Sequence, residues 1–107
     1  METDMSIEIA AGTFSAMGSE ARLEVLRLLI RAGESGLTVG EIQERSGIAP
    51  STLAHHLKFL AAGNVVTQEK QGRSTITRAN FDHLQRIANY ILCECCADEP
   101  QRAANDG

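Results

Sequence analysis

The sequence predicts a mainly helical domain with one small β-hairpin, on three observations. Apolar residues recur at three- and four-residue spacing in four stretches, with a capping-box signature marking a shorter helix between them. Two of these helical segments are joined by a short glycine-containing turn. Directly after them comes a run rich in β-branched residues around a second glycine turn. At 107 residues the chain makes one domain with a single modest core, which excludes a multidomain enzyme and argues against a large enclosed active-site cavity. With 4% aromatic residues and no Trp, a carbohydrate-stacking surface or an aromatic single-strand platform is also disfavoured.

Ile7, Ala10, Ala11, Phe14 and Met17 mark a first amphipathic helix over residues 7–17, ended by Gly18. Ser19 suits the N-cap of a second helix, where Leu23, Leu26 and Ile30 form one apolar line and Val25 and Leu29 an adjacent one. That wide stripe predicts the core helix, stopped by the turn-forming run Gly33-Glu34-Ser35-Gly36. Thr38 and Glu41 have capping-box spacing, so a short third helix is expected from about Thr38 to Ser46, with Gly47 as its breaker. Pro50 fits the first position of a fourth helix, where its missing N–H leaves no partner wanting. With Ala49 as N-cap, Ile48 and Leu53 occupy the hydrophobic-staple positions. The helix continues through Leu57, Leu60 and Ala61 to Gly63.

The fourth helix presents a polar face of Ser51, Thr52, His55 and Lys58, which makes the pair a helix-turn-helix. Residues 64–70 and 73–78, on either side of Gln71-Gly72, predict two strands, and a hairpin in that place is a wing. A last helix begins with Asn80 as N-cap and carries Leu84, Ile87, Ala88, Ile91, Leu92 and Cys95 on one face. The expected architecture is a winged helix-turn-helix over residues 1–99, in the order four helices, two strands, one helix. Residues 100–107 form a small polar tail expected to be disordered.

The formal net charge of -4 speaks, as an average, against nucleic acid. Its distribution reverses that reading. Residues 1–46 hold four arginines against eight carboxylates and residues 79–107 two against five, whereas residues 47–78 hold Lys58, Lys70, Arg73 and Arg78 against Glu69 alone. The positive charge thus lies on the fourth helix and the hairpin, where Ser51, Thr52 and His55 are placed for base edges or phosphates and Lys58 for the backbone. Arg73 at the hairpin tip is placed for the minor groove. For His56 the alternative is packing against the neighbouring helix, and for Arg73 a solvated turn.

The runs Met17-Gly18-Ser19-Glu20-Ala21-Arg22-Leu23-Glu24-Val25-Leu26, Leu37-Thr38-Val39-Gly40-Glu41-Ile42, Leu53-Ala54-His55-His56-Leu57-Lys58-Phe59-Leu60-Ala61-Ala62-Gly63 and Gly72-Arg73 resemble the ArsR/SmtB family of winged-helix repressors over roughly residues 12–96. The resemblance implies a homodimer built through the first and last helices, bound to double-stranded operator DNA and released by an effector. Two departures stand out. Thr38-Val39-Gly40 occupies the place of the Cys-Val-Cys motif of the arsenic-sensing branch, and Asp82-His83-Leu84 breaks the Asp-x-His spacing of the zinc-sensing branch. Pro50 and Ala54 replace the Gln and Ser frequent in relatives, which leaves those two base contacts unsupported.

The three cysteines, Cys93, Cys95 and Cys96, cluster at the end of the last helix, an odd number that does not suit a secreted disulfide framework. Cys93-Glu94-Cys95-Cys96 resembles a subset of that family whose members sense arsenite or methylated arsenicals with cysteines in this place. Trivalent arsenic or antimony takes three soft sulfur ligands, and on a helix Cys93 and Cys96 share a face while Cys95 does not. Holding all three thiols on one centre therefore requires the helix to end or unwind near residues 92–94. The alternatives are cadmium, lead or zinc held by the thiols with Asp98, Glu99 or a partner residue, a sensor of reactive sulfur or oxidants, and simple apolar packing. Glu94, Asp98, Glu99 and the negative helix end should raise thiol pKa. A thiol-disulfide enzyme would place its Cys-x-x-Cys at a helix N-terminus, so no catalysis is expected. Neither a membrane-length apolar run nor a signal-peptide pattern is present, which points to the cytoplasm and to no membrane partner.

Overall fold

The computed structural model describes residues 5–100. The chain runs α1 (Ile7–Met17), α2 (Glu20–Ala32), a single 3₁₀ turn (Gly33–Ser35), β1 (Leu37–Thr38), α3 (Val39–Ser46), α4 (Pro50–Ala62), β2 (Val66–Gln71), β3 (Ser74–Ala79) and α5 (Phe81–Leu92). The expected tail falls mostly on residues 101–107, which lie outside the described residues.

Local chemistry sets most of the boundaries. Ser6, Ser19 and Asn80 each accept a backbone N–H of the first turn that follows them, from Ile9, Arg22 and His83. Thr38 accepts from the Glu41 N–H at 3.1 Å while the Glu41 carboxylate accepts from the Thr38 N–H at 2.8 Å, which is the reciprocal capping box. Gly47 closes α3 in the left-handed region at φ +74°, where a side chain would be strained. Ala49 is extended, Pro50 opens α4, and the staple residues Ile48 and Leu53 both pack into the core.

The three strands form an antiparallel sheet in the order β1-β3-β2. The wing is larger by β1 than the sequence predicts: Leu37 pairs with Thr77 and Thr38 with Ile76 on the outer edge of β3. Two residues are too few to show an alternation, and Thr38 also caps α3. The hairpin turn is Gly72-Arg73 rather than Gln71-Gly72, with Gln71 opposite Ser74. Positive φ falls on Gly72 but not on Arg73, the pattern of a II′ turn with Gly first. β2 begins at Val66 because Asn64, at φ +63°, turns the chain out of α4.

Val25, Leu26, Leu29, Leu37, Ile42, Leu53, Leu57, Leu60, Val65 and Val66 make the main core between α2, α3, α4 and the sheet. The stripe on α2 is narrower than expected, since Leu23 and Ile30 are exposed. A second small cluster joins Met5, Ala10 and Ile87, with Tyr90 against it, where α1 meets α5. Outside it, apolar side chains of both helices face out: Ile7 is 72% and Leu92 65% exposed, and Ile9, Phe14 and Ile91 are exposed as well. The expected face of α5 is therefore covered only at Ile87 and, in part, Leu84.

Two features tie α1 to the end of α4. Gly63 lies so close to α1 that an added Cβ would collide with the Ala16 Cβ and press on the Gly12 carbonyl. Beside it a buried polar group is fully partnered. The His83 ring, 6% exposed, places Nε2 2.7 Å from Thr13 Oγ1 and Nδ1 3.4 Å from Asn64 Nδ2. Thr13 Oγ1 in turn lies within reach of the Ile9 and Gly63 carbonyls. An amide N–H aimed at Nδ1 makes Nε2 the protonated nitrogen, donating to Thr13.

Candidate nucleic-acid interface and thiol site

The first turn of α4 has no side-chain cap, because Ala49 stands at the N-cap and Pro50 follows it. Its free backbone N–H groups and the aligned peptide dipoles make this end attractive to anions. Ser51, Thr52, His55 and Lys58 are all exposed on the helix; His55 lies three or four residues from each of the other three, so they share one broad side. His56 turns partly inward, and its Nδ1 is buried without a hydrogen-bond partner among the described residues. Arg73 is exposed at the tip of the hairpin.

Within residues 47–78 the cations are not equivalent. Arg78 donates to the Glu34 carbonyl at 2.7 Å and to Glu69 Oε1 at 2.7 Å. Arg78 beside Glu69 holds that carboxyl below its usual range. Arg78 is thus engaged in holding β3 to β2 and to the turn after α2. Lys58, Lys70 and Arg73 make no ion pair among the described residues, so they carry the segment's available positive charge.

Sequence reasoning missed one part of the α4 surface. Phe59, 44% exposed, meets the His55 ring edge-on at 5.0 Å, and the Arg22 guanidinium stacks over it at 4.8 Å. Arg22 is itself held by the Ala16 carbonyl at 2.7 Å and the Ser15 carbonyl at 3.4 Å. The spacing of His55 and Phe59 was the available signal. The arginine comes from α2 and has no local signature.

The thiols sit beyond the last helix. α5 stops at Leu92, and successive turns follow, with Cys95 N–H to the Leu92 carbonyl, Ala97 to Glu94 and Glu99 to Cys96. Cys93 donates its S–H to the Tyr90 carbonyl at 3.3 Å. Cys96 has φ +66°, a rare conformation for a residue with a side chain, and its Sγ lies 3.3 Å from that of Cys95. The structure brings Cys95 and Cys96 together rather than Cys93 and Cys96, because the helix that would have aligned the latter pair has ended. Among the described residues no three His, Cys, Asp or Glu side chains are arranged to hold a metal ion. The adjoining pair of exposed soft thiols suits a thiophilic centre that forms covalent bonds to sulfur. The Cys95 thiol, sharing a hydrogen bond, raises the Cys96 pKa above that of an ordinary thiol, and Glu99 adds to the effect. Asp82 is exposed at the start of α5, whereas His83 is turned inward onto Thr13 and Asn64.

A helix-turn-helix domain family matches residues 17–69. The chain is 31% identical over 84 residues to the nodulation protein NolR of Rhizobium meliloti, an alignment covering 78% of this chain and 66% of that protein. It is 30% identical over 78 residues to the HTH-type transcriptional regulator YceK of Bacillus subtilis (strain 168), covering 73% and 77% of the two chains. To the arsenical resistance operon repressor of the same organism it is 28% identical over 80 residues, covering 75% and 74%. Among solved structures, an ArsR-like transcriptional regulator from Rhodococcus sp. RHA1 superposes with a TM-score of 0.73 at 28% identity, covering 92% of this chain and 89% of that one. No helix among the described residues is long and apolar enough to cross a membrane.

Proposed function

The chain belongs to the ArsR/SmtB family of winged-helix, DNA-binding transcription regulators, and from that membership we propose that it is a cytoplasmic homodimeric repressor released from its operator by a thiophilic effector. The dimer forms through α1 and α5, whose outward apolar residues Ile7, Ile9, Phe14, Ile91 and Leu92 would otherwise face water. Each α4 enters a major groove of operator DNA, with Ser51, Thr52 and His55 toward base edges and Lys58 on the backbone, while Arg73 reaches the adjacent minor groove.

The effector is trivalent arsenic or antimony, or a methylated arsenical, bound through Cys93, Cys95 and Cys96. The observation that carries this reading is the 3.3 Å contact between the Cys95 and Cys96 sulfurs, immediately beyond α5. Arsenite condenses with three thiols by losing three waters, so the two adjoining thiols offer a first pair of bonds and Cys93, one short turn away, a third; a monomethyl arsenical keeps its As–C bond, loses two waters and takes two of the three thiols. An effector drawing in Cys93 breaks its bond to the Tyr90 carbonyl, disturbs the last turn of α5 and so changes the spacing of the two α4 helices. Cadmium or lead, held by the same sulfurs, is the second reading, favoured over zinc by the soft ligand set.

The test is a gel shift on DNA from upstream of the protein's own gene, titrated with arsenite, methylarsenite, antimonite, cadmium, zinc and polysulfide. We expect arsenicals to release the wild-type protein and to leave a Cys95→Ser, Cys96→Ser protein bound. If arsenicals leave the wild-type complex intact while another agent releases it in a cysteine-dependent way, that agent replaces arsenic. If no agent depends on the cysteines, the thiol switch is wrong. DNA docking has a separate check in Lys58→Ala with Arg73→Ala, which should weaken the complex about tenfold or more without changing the oligomeric state.

A further inference from the structure

Three of the four arginines in the acidic first segment converge on one cavity. Arg27 and Arg31, one turn apart on α2, and Arg45, in the last turn of α3, line a half-open pocket of about 240 Å³ together with Glu24, Leu28 and Ser46. Residues 1–46 hold eight carboxylates against these arginines and Arg22, so opposite charge is plentiful. Yet among the described residues Arg27, Arg31, Arg45 and Glu24 make no ion pair and no side-chain hydrogen bond. The cavity therefore collects three unneutralised guanidinium groups against a single carboxylate. The repulsion among them is relieved by an anion placed between them.

We propose that Arg27, Arg31 and Arg45 form a binding site for a phosphate group. A planar guanidinium presents paired N–H donors that match two oxygens of a phosphate, and three such forks surround a multiply charged anion better than they do a lone carboxylate. The volume accommodates a phosphate or diphosphate, Leu28 contributes an apolar wall, and Ser46 adds a hydroxyl at the rim. The same chemistry can be supplied from two sources. Only residues 47–49 separate Ser46 from Pro50 at the start of α4, so the site stands beside the end of the helix that approaches DNA and can take a backbone phosphate flanking the groove. A free phosphorylated small molecule is the other source. The DNA arm rests on the docking described above; the free-anion arm does not.

The variant is Arg27→Gln with Arg31→Gln and Arg45→Gln, all exposed side chains, with a thermal melt to confirm that it folds. Operator affinity is measured between about 50 and 200 mM salt, and inorganic pyrophosphate is titrated calorimetrically into DNA-free protein. If the backbone is the source, the triple variant lowers the salt slope by about 2 per dimer, one phosphate per protomer. If the source is a free anion, wild type binds pyrophosphate saturably, the variant binds it at least about tenfold more weakly, and the salt slope is unchanged. An unchanged slope together with no arginine-dependent pyrophosphate binding overturns the site. Failure of the docking scheme itself is distinguishable, because the Lys58→Ala, Arg73→Ala protein would then bind DNA like wild type whatever the arginine cluster does.

Discussion

At the scale of the residue, the contacts that decide the chemistry are those between side chains with no regular spacing. Cys95 and Cys96 are neighbours whose sulfurs meet only because Cys96 adopts a left-handed backbone conformation outside the helix. From the sequence, helical periodicity pairs Cys93 with Cys96; the stop at Leu92 was foreseeable only as a condition for bringing three thiols together. The raised pKa was legible in sign from the neighbouring carboxylates, but its largest cause is Cys95, with Glu99 second. Because that pKa is raised, less of Cys96 is thiolate near neutrality. Alkylation of Cys96 by iodoacetamide, followed by mass spectrometry in a Cys93→Ser, Cys95→Ser background and in wild type, should be slower in wild type. It should accelerate as pH climbs above that of an ordinary thiol. Equal rates in the two proteins would show that Cys95 does not hold the proton on its neighbour. The Arg22–Phe59–His55 stack and the three-arginine cavity were not legible, because each gathers residues from different helices that no local pattern relates.

At the scale of the element, signals that act over three or four residues were read well. The serine and asparagine caps, the capping box, Pro50 and the terminal glycines each act through a backbone group of an adjacent turn, so the sequence carries both partners. β1 was missed for the opposite reason: its partner Thr77 is far along the chain and its two residues make no pattern of their own. Leu23 and Ile30 belong to the apolar stripe of α2 yet stay exposed, because a wide stripe does not reveal how much of its width a neighbour covers. Thr38 links the two kinds of signal, capping α3 while sitting in β1. Thr38→Ala removes its side-chain bond to the Glu41 N–H and should destabilise the protein by about 1 kcal/mol in chemical denaturation. Thr38→Ser, which retains the cap, should recover most of that. Loss of stability in both proteins alike would assign Thr38's contribution to the strand instead.

At the scale of the whole molecule, the uncovered apolar faces of α1 and α5 are the surfaces on which the proposed homodimer rests, and the separation of charge sets where it would meet DNA. The acidic ends, at four basic against eight acidic residues and two against five, flank a central segment where base outnumbers acid. Doubling the chain doubles the positive surface while the acidic remainder limits indiscriminate adhesion to DNA. Phe14→Glu with Ile91→Glu should convert the dimer to monomer in sedimentation equilibrium and weaken operator binding by about 100-fold or more, because the two half-sites are no longer read together. A variant that stays dimeric would move the interface elsewhere. The overall architecture was legible because helix order, turn glycines and the charged central block are all written along the chain. Which apolar residues remain exposed was not, since periodicity marks a face without saying whether its cover belongs to the same molecule. The seam at Gly63 adds a mechanical consequence. Where α1 rests directly on a residue without a side chain, the joint has no compressible lining and hence no backlash. In the proposed dimer, a tilt imposed on α1 by the second copy would therefore bear directly on the tail of α4 and the root of the hairpin.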